Sequence, residues 1–516
     1  MNNFLSLVKV EFLSQFGLNK ILHSKKSKRL SGLSGLCFFV LLMIAAIAFL
    51  GYTYADIFAL VLAPTDSIKK LLPVMIAISC LLSFMLSFYT SANVLYGYKD
   101  YDLLMSMPIK QSVIVLSKLT FIYVFDLIFA LLVVIPSMVV YAGYAAINIG
   151  FVLSVLVMAI FSPLLPTALS LFLGALIALI SSRFRKKNIA QIILYLFVFI
   201  VCFASGFLTG AEMIDPTVMI GKIYFIFPWA VKGLDDAVFL LLYIGANLLP
   251  FIIISVVCAL TYKKMNTLIT AKKRAKEFKL KSYGGKTQFG ALLNKEIKSL
   301  FSNATYTLNA LIGPIFGIVG AIAFAIIIRT SIGGYVGEIL VFFPAIFAFM
   351  FMLAPLTNCS ISLEGSAYWI VKTAPISANR FICAKLMVNV IFSVAPAFVA
   401  GLVSTIIIGA PYYEVILITF IAVSIAMLGG GVGLMLNLLF PSMNWDNPIK
   451  AVKQSLSVFL CILVAMLFAV GLFVIGFFVP LALIYNLLII LGVVLIFNAL
   501  VYGFIIIKGE KLLSKI

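Results

Sequence analysis

Charged residues are scarce in this chain: 10% are Asp, Glu, Lys or Arg and 64% are hydrophobic, over 516 residues. Soluble chains of this size carry about a quarter charged residues and fold as several domains. That shortage excludes a water-soluble multidomain enzyme. Histidine is almost missing, since His23 stands alone. One His cannot build a zinc site, and no HExxH is present. The seven cysteines are odd in number and include no CxxC pair, so they read as buried small hydrophobes rather than a disulfide framework. Alternating ten-residue strand segments are also missing, which excludes a membrane barrel.

What remains is apolar and continuous. Mean hydropathy is +1.22, and runs of about 20 apolar residues recur along the whole length, each long enough to cross a bilayer core as a helix. Backbone groups have no water partner in lipid, so such runs must be helical. The expected fold is an all-α integral membrane protein with twelve spans. They fall near 34–54, 71–95, 113–140, 150–181, 190–209 and 237–261, then 308–328, 339–358, 380–409, 414–440, 451–479 and 482–507. The run Cys37–Ala55 contains Ala46-Ile47-Ala48 but follows a long polar lead, so it reads as a first span and not a signal peptide.

A net charge of +20 would suggest nucleic acid in a soluble protein. With both termini cytoplasmic, 32 of the 37 basic residues fall inside, leaving Lys69, Lys70, Lys222, Lys232 and Arg329 outside. That bias is the positive-inside rule, so the charge is topological and no nucleic-acid partner is expected. The reading is a multi-pass protein of the cell membrane.

Two copies of one design follow each other. The first six-span half covers 1–261, a basic linker 262–287, and the second half 288–516. Glu11, Ser14 and Phe16 of an amphipathic segment align with Glu296, Ser299 and Phe301 of another. After the second span of each half comes a polar hairpin spaced Tyr-x6-Pro-Ile-x8-Lys-Leu. In the first it is Tyr101, Pro108, Ile109 and Lys118-Leu119; in the second, Tyr368, Pro375, Ile376 and Lys385-Leu386. Each proline ends a short helix, and Ser112 and Ser377 can cap the helix that follows. Six spans is an even number, so the halves are parallel repeats forming a pseudo-dimer, with a pathway expected between them.

At these residues the chain resembles the type-2 exporter permeases of the ATP-binding-cassette superfamily. Pro375-Ile376-Ser377 with Lys385-Leu386 matches the hairpin of that family closely; Lys110 departs where Ser377 agrees. The resemblance implies elbow helices bearing Glu11, Phe16, Glu296 and Phe301. It implies hairpins, with Trp369 beside Tyr368, that contact two copies of a separate ATPase subunit. It also implies an outer segment, 210–236, partly re-entering the membrane, which the second half lacks.

Smaller features carry less. Gly429 and Gly433, paralleled by Ser170 and Gly174, allow close helix packing or a hinge. Asp126 is the one carboxylate well inside a span, a candidate polar site facing the bundle interior; its repeat counterpart is Ser393. Gly285-Lys286-Thr287 lacks the leading glycine, strand and helix of a phosphate loop. The chain is therefore expected to bind no cofactor, with ATP and Mg held by its partner. Cargo would be hydrophobic or amphipathic: a peptide, drug or lipid. An ion-coupled secondary transporter is the alternative, and an intramembrane enzyme would need catalytic pairs that are not visible.

Overall fold

The computed structural model describes residues 2–15, 41, 44–45, 47–60, 62–64, 67–96, 101–184, 187–210, 220–221, 224–270, 287–332, 337–353, 355–445, 448–453, 455–479 and 482–516. Phe16, Lys286 and most of the basic linker lie outside them, as does the start of the 210–236 segment. Among the described residues there is helix and turn and no strand.

The chain forms two compact units, Met1–Lys187 with Glu212–Lys276, and Asn188–Ala211 with Glu277–Ile516. Helices of the first unit are α1 (Asn2–Gln15), α2 (Ile47–Leu60), α3 (Leu71–Leu95), α4 (Tyr101–Ser106), α5 (Gln111–Ala142), α6 (Ile149–Phe161) and α7 (Leu164–Ser182). After α8 (Lys187–Gly210) come α9 (Phe227–Lys232) and α10 (Ala237–Thr270). The second unit holds α11 (Gln288–Ser302), α12 (Ala304–Ile332), α13 (Phe343–Met352), α14 (Tyr368–Thr373), α15 (Ala378–Ile408), α16 (Tyr412–Leu439), α17 (Pro448–Lys453), α18 (Leu456–Phe478) and α19 (Leu483–Lys515).

Nine described helices are long and apolar enough to cross a membrane, and three shorter apolar ones, 47–60, 188–199 and 343–352, occupy the places of expected spans 1, 5 and 8. Helical pairing is repetitive. In the first unit α1 packs on α5, α3 on α7, and α7 on α10; in the second α11 packs on α15, α13 on α16, and α16 on α19. One helix departs from the sequence boundary. Although α8 precedes the linker, it groups with the second unit. There Phe199 meets Phe316 edge-on at 6.1 Å, and Asn188 donates to the Ser302 carbonyl.

Two helix breaks sit inside apolar runs, and both are closed by side chains. Pro163 and Pro166 lack the N–H groups that would reach the carbonyls of Ala159 and Ser162. Ser162 Oγ donates to Ala159 O at 3.0 Å and Cys80 Sγ to Ser162 O at 3.2 Å, so both orphans find partners. In the second unit, the helix α13 stops at Met352, and Pro355 introduces turns up to a 3-10 stretch, Ser362–Ala367. Asn437 of α16 accepts from the N–H groups of Ile361 (2.8 Å) and Ser362 (3.2 Å), while Tyr306 donates to Leu356 O at 2.6 Å. Irregular backbone at membrane depth is tolerated only when protein covers it in this way.

The glycines of α16 receive this irregular backbone. A Cβ on Gly433 would lie 2.5 Å from Thr357 Oγ1 and 3.0 Å from Asn358 N, and one on Gly429 would lie 2.9 Å from Phe351 O. Four described cysteines are buried, but Cys383 is exposed, which corrects the uniform buried reading.

Candidate functional site

Each hairpin begins with a six-residue helix, α4 or α14, and turns at its proline. The turn is the same in both: Ile109 N–H bonds to Met107 O at 2.7 Å, and Ile376 N–H to Ala374 O at 2.7 Å. A proline at the centre fits such a three-residue turn because its φ is fixed. Lys110 (φ −63°, ψ 135°) and Ser377 (φ −70°, ψ 141°) then take matching extended conformations before α5 and α15. The serine-cap expectation fails in both places. Ser112 lies inside α5, and Ser377 occupies the cap position without a side-chain cap bond.

A buried lysine fixes each hairpin to its amphipathic helix. Lys118 of α5 is 0% exposed; its ammonium lies 3.1 Å from Glu11 Oε1 of α1 and donates to Val94 O, near the end of α3, at 2.9 Å. Lys385 of α15 is 2% exposed and meets Glu296 Oε2 of α11 at 3.0 Å, Glu364 Oε1 at 3.1 Å and Ser360 O at 2.9 Å. An ammonium has three N–H donors, and Lys385 uses all three. The lysines and acids that align in the two amphipathic helices and hairpins are thus partners in space. Lys295 completes the second cluster through ion pairs with Glu364 and, at 3.4 Å, with Glu296. Two cations and two anions balance there, which is the condition under which buried charge persists.

Around Glu364, burial alone would push the carboxyl up, but the Lys385 and Lys295 ammoniums outweigh it and hold it below 4.5. Tyr368 is pushed above the ordinary phenol value, chiefly by burial and then by the Glu364 charge. It donates to Leu513 O of α19 at 3.0 Å, while Tyr101 in the first unit packs 5.7 Å from the Tyr262 ring of α10.

Apolar side chains left outside these anchors are Leu103 (59% exposed) and Met107 in the first hairpin, and Trp369 (63%) and Ile370 (53%) in the second. Ile109 and Ile376 are half-buried against their own units. Pro108 and Pro375 are exposed. Phe301 meets Phe392 edge-on at 5.7 Å.

Asp126 lies inside the first unit at 1% exposure. Its Oδ2 accepts from Thr167 Oγ1 at 2.8 Å and from Ser87 Oγ, beside the Pro163 break. Ser393 is buried, with no hydrogen-bond partner for its hydroxyl among the described residues. Ser170 and Gly174 are buried in α7, where Ser170 O accepts from Ser91 Oγ at 3.0 Å. Among the described residues no group of three His, Cys, Asp or Glu could hold a metal ion.

Sequence reasoning missed Glu364, Lys295 and Asn437. Glu364-Gly365 preceding Tyr368 was the available signal, because an acid beside a glycine in an apolar stretch marks a turn holding a charge. Gly365 has φ +53°, and a Cβ there would lie 2.9 Å from the Trp445 ring.

No curated protein and no solved structure matches the chain. A family model described as a membrane protein of 12 TMs matches residues 36–501. The chain belongs to this family of twelve-span membrane proteins.

Proposed function

We propose that the chain is the membrane permease of an ATP-driven exporter, resembling the type-2 permeases of the ATP-binding-cassette superfamily. The observation that carries this reading is the repeated hairpin. In each half the same proline turn projects exposed apolar residues, and the same lysine ties it to an amphipathic helix through a carboxylate. A local motion at either hairpin is thereby linked to the helix ends it touches, which is what a coupling element requires.

On this reading the chain is an internal duplication forming a pseudo-dimer, and α1 and α11 are elbow helices at the membrane surface. Two copies of a separate ATPase subunit engage the hairpins from the cytoplasm and hold ATP and Mg. The chain itself performs no hydrolysis. It sits in the cell membrane with both termini cytoplasmic, and moves an amphipathic or hydrophobic peptide, drug or lipid by alternating access. The recurrent helix pairings support the duplication.

The test replaces Leu103 and Ile370, which are aligned and exposed, together with Asp. Placing charge in an apolar contact and removing an anchor weakens such an interface by several kcal/mol. Neither residue is packed in its unit, so membrane abundance should hold. We expect the purified variant to lose co-purifying phosphate-loop ATPase and its ATP hydrolysis. Undiminished recruitment would leave the hairpins as turns only.

One feature favours a second reading. Asp126 accepts from two hydroxyls beside a proline-broken helix, an arrangement ion-coupled transporters place near the membrane midplane. Loss of ion-gradient-driven uptake in Asp126→Asn, with no ATPase partner recovered, would support it.

A further inference from the structure

The last helix, α19, is long and apolar enough to span the membrane and changes character near its end. Its final strongly exposed apolar side chains are Ile506 and Ile507, at 75% and 80%, and Lys508, Glu510 and Lys511 follow. A helix rises 1.5 Å per residue, so Glu510 stands about 6 Å beyond Ile506, where headgroups replace hydrocarbon. A second element reaches the same level. Ser377 occupies the cap position of α15, whose membrane-length helix begins at Ala378.

Between these two elements opens a cavity of about 430 Å³, lined by Tyr368, Lys372, Ile376, Phe381, Glu510 and Ser514 among others. It brings one cation and one anion to a common space. Among the described residues neither Lys372 nor Glu510 forms an ion pair. Tyr368 closes one wall, its hydroxyl donating to Leu513 O at 3.0 Å. Deeper along α19 lies a groove of about 290 Å³ against α16, lined mainly by apolar groups that include Phe420, Met427, Leu495 and Tyr502. Leu495, Asn498, Tyr502, Ile506, Glu510 and Leu513 follow one another at steps of three or four. Groove, exposed Ile506 and cavity therefore share one face of the helix. From Leu495 to Glu510 that face runs about 22 Å, more than the depth of one leaflet's hydrocarbon, about 15 Å.

We propose that this face of α19 is a binding site for an aminophospholipid of the phosphatidylethanolamine class. Its phosphate meets Lys372 and its primary ammonium meets Glu510, while an acyl chain follows Ile506 into the groove. Both headgroup contacts are charge-assisted hydrogen bonds. A choline headgroup has no N–H to give Glu510, and a glycerol headgroup offers that carboxylate no cation. Bound there, the lipid joins the second hairpin to α19 and makes the hairpin's position sensitive to membrane composition. The site needs no ATPase and stands whether or not the chain is an exporter.

The test is native mass spectrometry of the purified full chain, titrated with phosphatidylethanolamine, phosphatidylcholine or phosphatidylglycerol of identical acyl chains. We expect the ethanolamine lipid to be retained about threefold over the other two, the ratio given by one exposed ionic contact. Glu510→Gln should remove its advantage over phosphatidylcholine, and Lys372→Gln should lower its retention by a similar factor. Lys508→Gln, on the opposite face of the same turn, should change neither. All three side chains are exposed, so the melting midpoint should hold in each variant. A second arm places the photo-crosslinking amino acid benzoylphenylalanine at position 514 in native membranes, where an adduct of aminophospholipid mass is expected. Equal retention of the three lipids, or a preference that survives Glu510→Gln or falls equally with Lys508→Gln, overturns the site. A protein-sized product from position 514 in place of the lipid adduct gives the cavity to a protein partner and overturns it as well.

Discussion

Two lysines decide how the amphipathic helices are held. Each is buried, and each would be a costly guest without its carboxylate, since removing one partner of a buried ion pair costs about 3–5 kcal/mol through the charge left behind. Among the described residues, Lys118→Met strands Glu11, while Lys385→Met strands both Glu296 and Glu364, with the half-exposed Lys295 to face them. Thermal unfolding in detergent should therefore show a larger drop for Lys385→Met than for Lys118→Met. Equal drops would mean that Glu364 adds nothing to the anchor. Acid provides a second test of the same cluster. The Glu364 carboxyl is depressed below 4.5 in the folded chain. Its contribution is thus fully present above 4.5 and lost as pH falls through the depressed folded value. Melting midpoints of wild type and Glu364→Gln should converge as pH is lowered below 4.5 and separate above it. A constant gap would place the effect of the substitution elsewhere.

At the scale of elements, the close contact between α16 and the irregular run 355–361 sets the tolerance of the second unit. Gly433→Ala forces a Cβ against Thr357, Pro355 and Asn358, and overpacking of this kind costs about 1–3 kcal/mol. Gly471 of α18 has nothing within 4 Å of its Cβ position, so Gly471→Ala should leave the melting midpoint unchanged or raise it. Similar midpoints for the two variants would contradict the tight seat. Span positions were legible because an apolar run of membrane length allows little but a helix. The break at 355–361 was not, because hydropathy does not distinguish a helix from buried irregular backbone, and only Pro355 marked it. Hairpin spacing was legible as a repeated pattern, and the acids and lysines were found separately. Their pairing was hidden, since Glu11 and Lys118 meet only when α1 folds back on α5. Glu364 has no acidic counterpart at the aligned position of the first hairpin, Gly97, so the repeated pattern does not mark it.

For the whole molecule, the distribution of basic residues is a stronger constraint than any single contact. Twelve spans bring both termini to one side, and on the proposed six-plus-six division the linker lies on that side as well. Placing that side in the cytoplasm puts 32 of 37 basic residues inside; the opposite orientation would place them outside, against the bias that sets membrane insertion. The linker is the decisive place to test, because it carries Lys263, Lys264, Lys272, Lys273, Arg274, Lys276, Lys279, Lys281 and Lys286 within a short stretch. The measurement is labelling of Lys276→Cys, in a background with the native cysteines replaced, by a maleimide that does not cross membranes. Intact cells should leave the site unmodified and permeabilised cells should modify it. The linker also ends in Gly285-Lys286-Thr287, so the same purified chain should bind no ATP analogue, and Lys286→Ala should change nothing. Labelling from outside would invert every span and put both hairpins where no cytoplasmic ATPase could reach them. The lysine anchors would still hold the amphipathic helices in place, but as surface braces of an outward-facing bundle, and the exporter reading would have to be abandoned.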